Sequence, residues 1–341
     1  MAVSSCSTTN PDAATVNGVH INRTAFEADM NTLAKNDAYA KANGAAAAQG
    51  APAIAGDTKG SISSAFAGSQ LSNLVLLEFV HAEVGRRNIT ADADQTTQGE
   101  QVAQGILAVG DPAIWTSLPA DLKTKYSQKG AEYLALQKDL SPKTDEELLA
   151  IFASVQDQLP LCVSHILVAT ENDATAVLDD LKAGKTFADV AKARSTDPGS
   201  KDSGGSLIDP QTGQCPTAST LDPDFVAGAK AAKEGEPTAP VKTQFGFHII
   251  KLDKPLPTIE SLHDNLVTYG GQQSLKQFID KSRKEAVVTV DPHYGMWDAA
   301  SGGIVPTTAA GTTKEGAVTT APKAGALVPG ADPATAPVST P

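Results

Sequence analysis

The sequence has few cysteines, and they do not form a pattern that binds zinc. Its 341 residues include three cysteines, Cys6, Cys162 and Cys215, and six histidines. They contain no CxxC pair, no Cys/His cluster with zinc spacing and no HExxH motif. A structural zinc site and a zincin active site are therefore not expected, and no metal is predicted.

Positive charge and long apolar runs are also scarce. Lys and Arg number 27 against 39 Asp and Glu, which gives a net charge of −12. Nucleic-acid binding needs a basic face that displaces counterions, so no nucleic-acid partner is expected. No apolar run approaches the roughly 18 residues of a membrane-spanning helix.

The glycine-rich loops of several common enzyme classes are missing. The sequence has no GxxxxGK[ST] loop, no GxGxxG that follows a predicted strand and no GxSxG. These loops position phosphates, dinucleotides and the nucleophilic serine of α/β-hydrolases. Phosphoryl transfer, dinucleotide chemistry and hydrolase chemistry are therefore disfavoured.

A short motif near the amino terminus suggests a lipid anchor. Val3-Ser4-Ser5-Cys6 resembles the end of a bacterial lipobox, in which the cysteine becomes lipidated. The apolar stretch that precedes such a cysteine is missing, and the alternative is a stray surface cysteine in a disordered terminus. We expect residues 1–12 to be a linker whose Cys6 tethers the protein to a membrane without spanning it.

The carboxyl-terminal end has the composition of a disordered segment. From Ser301 onward the residues are mostly Ala, Pro, Gly, Thr and Ser, with no aromatic side chain. Such a segment cannot bury enough apolar surface to offset the entropy lost on ordering. We predict a disordered tail at residues 298–341.

Residues 13–158 have the pattern of a mainly helical domain. Asn17-Gly18 between short apolar runs predicts a β-hairpin, and Thr24 to Glu27 has the spacing of a capping box. Residues 40–60 are Ala/Gly-rich and predict a flexible insertion. Apolar periodicity predicts the further helices, which are expected at 69–87, 92–109, 121–138 and 144–157.

Residues 255–297 are expected to complete this helical domain. Ile259 to Glu285 reads as one long helix, and residues 286–290 read as a strand. Since a lone strand needs a partner, the hairpin around Val16 is the expected one. The helical domain would then be built from both ends of the chain.

Residues 160–254 change to a mixed pattern that predicts a small α+β domain with an antiparallel sheet. Strands are expected at 163–168 and 247–252, with a strand-like segment at 203–208 that contains Gly204-Gly205. Helices are expected at 174–182, with Asn172 or Asp173 as cap, and at 187–194 and 223–232. This domain would be inserted into the helical one.

This region resembles the parvulin family of peptidyl-prolyl isomerases. The matching motifs occur in order over residues 162–253: SHILV at 164–168, GKTFADVA at 184–191, STD at 195–197, Gly204-Gly205, Leu221 to Phe225, Gly235, Thr243 and FGFHII at 245–250. The flanking helical segments and closing strand are similar in organisation to SurA/PrsA-type extracytoplasmic foldases. The fold class implied is a parvulin-like α+β domain inserted in a mainly helical, SurA N-like domain.

The resemblance assigns roles to seven residues. It implies an apolar cup for the proline ring, formed by Leu221, Phe225 and Phe245. It implies a polar catalytic set, formed by His165, Asp197, Thr243 and His248. Strand alternation independently places both imidazoles on half-buried faces, where hydrogen bonds to each other or to hydroxyls are expected. Isomerisation about X–Pro makes and breaks no covalent bond, so no cofactor is expected.

Each residue also has a structural interpretation. Histidines on apolar strand faces are commonly satisfied core residues, and Phe225 and Phe245 could be core aromatics. Asp197 precedes Pro198 and could be a turn residue. The loop after His165, residues 169–173, is acidic and lacks Arg or Lys, so recognition of phosphorylated Ser/Thr-Pro is not expected.

Within the parvulin-like layout, Cys162 and Cys215 are expected at the same edge of the domain. Cys162 begins the first strand, and Cys215 lies in the loop after Gly204-Gly205. We predict a disulfide between them, which would imply an oxidising compartment. The alternative is two unrelated reduced thiols.

These observations predict an extracytoplasmic prolyl isomerase and folding factor, either a membrane lipoprotein or secreted. Its partners would be unfolded or newly secreted polypeptides with X–Pro bonds, and it would contact the membrane through the lipid anchor alone. Two alternatives remain open: a non-catalytic peptide-binding holdase, and an assembly lipoprotein that uses the parvulin fold for docking.

Overall fold

The computed structural model describes residues 11–107 and 111–307. The helices of these residues are α1 (Arg23–Lys35), α2 (Asp37–Ala47), α3 (Ser64–Arg87), α4 (Ala93–Ile106), α5 (Pro112–Ser117), α6 (Ala120–Asp139), α7 (Asp145–Val155), α8 (Glu171–Lys182), α9 (Phe187–Arg194), α10 (Pro223–Lys230) and α11 (Ile259–Glu285). The strands are β1 (Asp12–Val16), β2 (Val19–Asn22), β3 (Val163–Val168), β4 (Val241–Thr243), β5 (Gly246–Leu252), β6 (Val288–Val290), β7 (Met296–Asp298) and β8 (Gly303–Val305). Cys6 and residues 308–341 lie outside the described residues.

The chain divides into two compact units. The first contains the described residues up to Ser141 and from Gly271 onward, and the second contains residues 142–270. The sequence placed the divisions near 158–160 and 254–255. The structure instead groups α7 and the first half of α11 with the second unit, because Leu148 and Val155 pack with Leu262 and Leu266.

The first unit joins both ends of the described chain through a small sheet. Its strand order is β2-β1-β6, with both pairings antiparallel, and Ala14 lies opposite Val290. The β1–β2 turn uses Asn17 at φ 50° and Gly18 at φ 85°, the left-handed conformations that a two-residue hairpin turn requires. The predicted hairpin and its pairing with the later strand are confirmed.

The helices of the first unit enclose one apolar core. Helix α3 contributes a nearly continuous set of buried residues, including Leu71, Val75 and Phe79. Helices α4 and α6 cross closely because Gly99 and Gly130 face each other without side chains between them. Leu275, Tyr294 and other residues that follow 270 join the same core.

The second unit is organised around a sheet of order β3-β5-β4. On one face, Val163, Ile250 and Leu252 pack with Phe225 and Val226 of α10. On the other face, Ile166 and Ile249 pack with residues of α8 and α9. Both faces are therefore covered by helices, which is the α+β architecture that the sequence predicted.

Several local expectations are wrong. The cap of α1 is Asn22, whose side chain accepts a hydrogen bond from the Ala25 backbone, so Thr24 to Glu27 is not a capping box. Helix α8 begins one turn earlier than predicted, because Thr170 is its cap. The segment 40–60 is not wholly irregular, since α2 continues to Ala47.

Two strand expectations also change. Residues 203–208 form an isolated bridge between Ser164 and Ser206, and the third strand of the sheet is β4. At the start of the predicted disordered tail, β7 and β8 form an antiparallel hairpin that extends order to Val305. Across residues 11–107 and 111–307, no helix has the length and apolar character needed to cross a membrane.

Candidate active site

Two buried histidines lie side by side on the central strands of the second unit. His165 of β3 is opposite Ile250, and His248 of β5 is opposite Leu167, so the two imidazoles are diagonal neighbours on one face of the sheet. Their Nδ1 atoms are 3.0 Å apart, and their rings stack at a centroid distance of 5.3 Å. The exposed fractions are 6% and 4%, so both rings depend on protein partners for their polar atoms.

Thr243 supplies the partner of His248 on the far side of the ring. Its Oγ1 lies 2.9 Å from His248 Nε2, and it also accepts a hydrogen bond from the Phe245 backbone N–H. Thr243 ends β4 opposite Gly246 of β5, so the short β4–β5 turn places the hydroxyl beside the imidazole.

Asp197 supplies the corresponding partner of His165. Its Oδ2 lies 2.9 Å from His165 Nε2, and its carboxylate accepts from the backbone N–H groups of Gly199 and Ser200. The structure thus brings together all four polar residues that the sequence singled out. The Asp197 side chain, 23% exposed, is more accessible than that of His165.

Ser200 is a member of this network that sequence reasoning missed. Its Oγ lies 2.8 Å from His165 Nε2 and donates to Asp197 Oδ2 at 2.5 Å. A serine three residues after an aspartate has the spacing of a local side-chain turn, which was the available signal. That spacing does not reveal the contact with a histidine in a distant strand.

Burial and hydrogen bonding set the charges of the network. Burial lowers the pKa of His248 to about 4, with a further contribution from the charge of His165. Burial alone would raise the pKa of Asp197, but hydrogen bonds from Ser200, His165 and Gly199 outweigh it and hold the pKa below its ordinary value. Near neutral pH, His248 is therefore neutral and Asp197 is ionised.

Phe225 covers the histidine pair from helix α10. Asp222 caps this helix and Pro223 is its first residue, which fixes the position of Phe225 in the first turn. The Phe225 ring meets His165 edge-on at 5.5 Å and His248 edge-on at 5.2 Å. It is 4% exposed, so its main part belongs to the core.

The other two cup residues, Leu221 and Phe245, belong to segments next to the start of α10. Leu221, half-buried, packs against the cluster that contains Phe225. Phe245 lies in the β4–β5 turn and is 65% exposed. Gln244 of this turn donates to Asp222 at 3.2 Å, which holds the turn beside the start of α10.

The two described cysteines are bonded in the structure. The Sγ atoms of Cys162 and Cys215 are 2.00 Å apart, which links the start of β3 to the loop before Leu221. Within the part of the chain that the structure describes, no group of three or more His, Cys, Asp or Glu could hold a metal ion.

Part of the chain matches a family model, and the chain is similar to several known proteins. Residues 151–254 match the Rotamase family model, described as a PPIC-type PPIASE domain. The chain is 39% identical over 171 residues to foldase protein PrsA 2 of Listeria monocytogenes, covering 46% of this chain and 55% of that one. It is 34% identical over 194 residues to foldase protein PrsA of Clostridium kluyveri, covering 55% and 54%.

The chain thus spans about half the length of these curated relatives. Among solved structures, PrsA of Bacillus cereus is 24% identical and covers 72% of this chain and 96% of that one. Its TM-score of 0.34 is too low to support an argument about shared architecture.

Proposed function

We propose, on the premise that residues 151–254 are a PPIC-type peptidyl-prolyl isomerase domain, that this protein catalyses cis–trans isomerisation of X–Pro bonds and acts as a folding factor. The observation that carries the proposal is the hydrogen-bonded set Asp197, His165, His248 and Thr243 beneath Phe225. These side chains come from separate segments and meet at one apolar surface.

The reaction explains why an apolar cup is the main requirement. Rotation about an X–Pro bond crosses a barrier of roughly 20 kcal/mol, because twisting the amide removes its resonance. A catalyst lowers this barrier by binding the twisted amide more tightly than the planar one. We assign Leu221, Phe225 and Phe245 to binding of the proline ring and exclusion of water. The exposed ring of Phe245 is available to a substrate.

Asp197 is the network member that we assign to the electrostatics of the reaction. In the planar amide, resonance places negative charge on the carbonyl oxygen, and twisting reduces that charge. A carboxylate near this oxygen therefore disfavours the planar state relative to the twisted one. Ionised and 23% exposed, the Asp197 side chain has the charge and the access for this role.

The histidines and Thr243 are assigned to positioning. Both imidazoles are almost completely buried, so they contact the cup from below. Their hydrogen bonds hold Asp197 at one end and the β4–β5 turn with Phe245 at the other. The network therefore fixes the spacing between the carboxylate and the aromatic side chains.

The proposed partners are unfolded or newly secreted polypeptides that contain X–Pro bonds. An extracytoplasmic location is favoured by the Cys162–Cys215 pair, since disulfides persist in oxidising compartments. Lipidation at Cys6 remains a prediction. The net charge of −12 disfavours a nucleic-acid partner.

The test is NMR exchange on an X–Pro peptide, without a coupled protease. Wild type should accelerate exchange, and Phe225→Ala and Asp197→Ala should reduce the acceleration by tenfold or more. Phe187→Ala is the matched control, because Phe187 packs on the opposite face of the same sheet. An equal loss in the control would show that the effect is a general loss of folding.

Non-catalytic holding of unfolded chains is the second candidate. It is favoured by a cleft of about 680 Å³ in the first unit, lined by Trp115, Val84, Ile89 and polar side chains. Peptide binding by the wild type without accelerated exchange would overturn the isomerase proposal in favour of this holdase. If the protein also failed to protect unfolded clients from aggregation, the result would favour the third alternative, an assembly lipoprotein that uses this domain only for docking.

A further inference from the structure

Ser200 is buried beside the Nε2 atom of His165 and the carboxylate of Asp197. It is 1% exposed, and its backbone carbonyl accepts hydrogen bonds from the Gly205 N–H and the Ser203 hydroxyl. Its own N–H donates to Asp197 at 3.1 Å. These contacts fix the backbone of Ser200, so its hydroxyl oxygen is held in place beside His165.

The hydroxyl has one proton, and its partners determine where that proton points. Ionised Asp197 can accept but not donate, so the Ser200 O–H donates to Asp197 Oδ2. The oxygen of Ser200 then accepts from His165 Nε2–H, 2.8 Å away. The Nε2 proton of His165 is thereby shared between two acceptors, the Ser200 hydroxyl and the Asp197 carboxylate.

This assignment propagates along the network. In the neutral form of His165, a proton at Nε2 leaves Nδ1 as an acceptor, so His248 donates to it from its Nδ1–H. His248 then accepts at Nε2 from the Thr243 hydroxyl. All the hydrogen bonds point from Thr243 toward Asp197, and each ring has one defined tautomer.

Asp197 and Ser200 differ in how firmly they can hold His165. The Asp197 side chain is partly open to water, whereas Ser200 is enclosed by its own loop. A carboxylate that water can solvate has alternatives to the histidine, but the buried hydroxyl does not. The fixed acceptor for His165 Nε2–H is therefore the serine.

We propose that Ser200 is a positioning residue of the isomerase site, which fixes the tautomer of His165 and, through it, the orientation of His248 and Thr243. The inference rests on the proposed function for its effect on rate. Its effect on the histidine tautomers does not depend on that function.

The experiment combines histidine side-chain ¹⁵N NMR with peptide exchange, both on the full chain. Wild type should show His165 protonated at Nε2 and His248 at Nδ1. Ser200→Ala should give averaged tautomer signals and about a tenfold lower kcat with KM changed less than twofold, the rate equivalent of one lost buried hydrogen bond. Ser200→Thr keeps the hydroxyl and should restore the single-tautomer pattern.

Ser203→Ala is the matched control, since Ser203 lies in the same loop and its hydroxyl bonds to backbone carbonyls. If Ser200→Ala does not fold, Ser200→Cys makes the same test, because its sulfur occupies nearly the same position as the serine oxygen but accepts a hydrogen bond only weakly. An unchanged tautomer pattern in the folded variant would overturn the proposal. If the wild type has no isomerase activity but Ser200→Ala still changes the tautomer pattern, the positioning role is supported and the proposed function is refuted.

Discussion

At the scale of single residues, the buried imidazole of His248 couples the stability of the second unit to pH. Burial lowers its pKa to about 4 in the folded state, against about 6.5 in an unfolded chain. Between these values the unfolded state binds more protons than the folded state. The free energy of unfolding should therefore decrease as the pH falls from about 6.5 to 4, by up to about 3 kcal/mol from this residue.

The measurement compares denaturant unfolding of the wild type and His248→Gln at several pH values, followed through NMR signals of β3. The variant should lose less stability than the wild type over this pH interval, whatever its stability at pH 7. His263→Gln is the control, since His263 is exposed on α11. Parallel pH profiles for wild type and His248→Gln would refute the assignment.

The site residues differ in how far the sequence alone could predict them. Strand alternation placed His165 and His248 each on a half-buried strand face without any family resemblance, and the structure puts them on the same face of the sheet. Asp197 and Thr243 needed the resemblance, because a loop residue and a strand-end residue have no periodicity. Ser200 was missed because its contact with His165 depends on how the 195–206 loop folds over β3.

At the scale of helices, the crossing of α4 and α6 depends on two glycines. A Cβ atom added at Gly130 would overlap the backbone carbonyl of Gly99, and one added at Gly99 would overlap the backbone of α6. Gly130→Ala should therefore destabilise the first unit by about 1–3 kcal/mol, despite the better helix propensity of alanine. Thermal unfolding of the first unit would measure this loss.

Gly85→Ala provides the matched control for that substitution. Gly85 also lies within a helix, α3, but an added Cβ atom meets nothing within 4 Å. Here alanine should stabilise the unit, by up to about 1 kcal/mol. Effects of the same sign for both variants would contradict the packing explanation.

The loop between Gly205 and Leu221 depends on its covalent link to β3. The disulfide closes a separation of 53 residues, so its loss should cost the second unit roughly 3–4 kcal/mol through the entropy of the unfolded chain. Cys162→Ser, Cys215→Ser and the double variant should lose similar stability. A reductant should lower the wild type to the level of the variants, and no response to reductant would refute the prediction.

Helix boundaries show why local signals alone were insufficient. The sequence predicted a capping box that starts at Thr24, but Thr24 lies within the first turn of α1 and the cap is Asn22. Asn22 is the cap because β2 ends at this residue in an extended conformation, which leaves its side chain free to accept a hydrogen bond from the Ala25 backbone N–H. Strand pairing therefore determined where the helix begins.

At the scale of the whole molecule, the sequence predicted the discontinuous first unit but not its full extent. The strand at 288–290 was expected to pair with the hairpin because an isolated strand is unstable. The β7–β8 hairpin was missed, since Met296 to Val305 has no hydrophobic alternation and is followed by a segment of low complexity. Its order comes from tertiary contacts, such as the hydrogen bond from Ile304 N–H to Ser72.

Residues 286–307 should accordingly be essential to the first unit and dispensable to the second. Tyr294 meets Phe26 edge-on at 5.2 Å and donates to Glu27, and Asp291 forms an ion pair with Arg23. Trp297 meets Phe79 edge-on. Loss of these contacts and of β6 should remove more than about 5 kcal/mol, which is comparable to the whole stability of a domain.

A chain that ends at residue 285 tests this expectation against a control that ends at residue 307. The shorter chain should lose the unfolding transition of the first unit while keeping the NMR signals of His165 and His248, because the apolar clusters around β3, β4 and β5 lie within residues 142–270. The control should keep both. An intact first transition in the shorter chain would mean that β1 and β2 fold without β6, and loss of the histidine signals would mean that the second unit depends on the first.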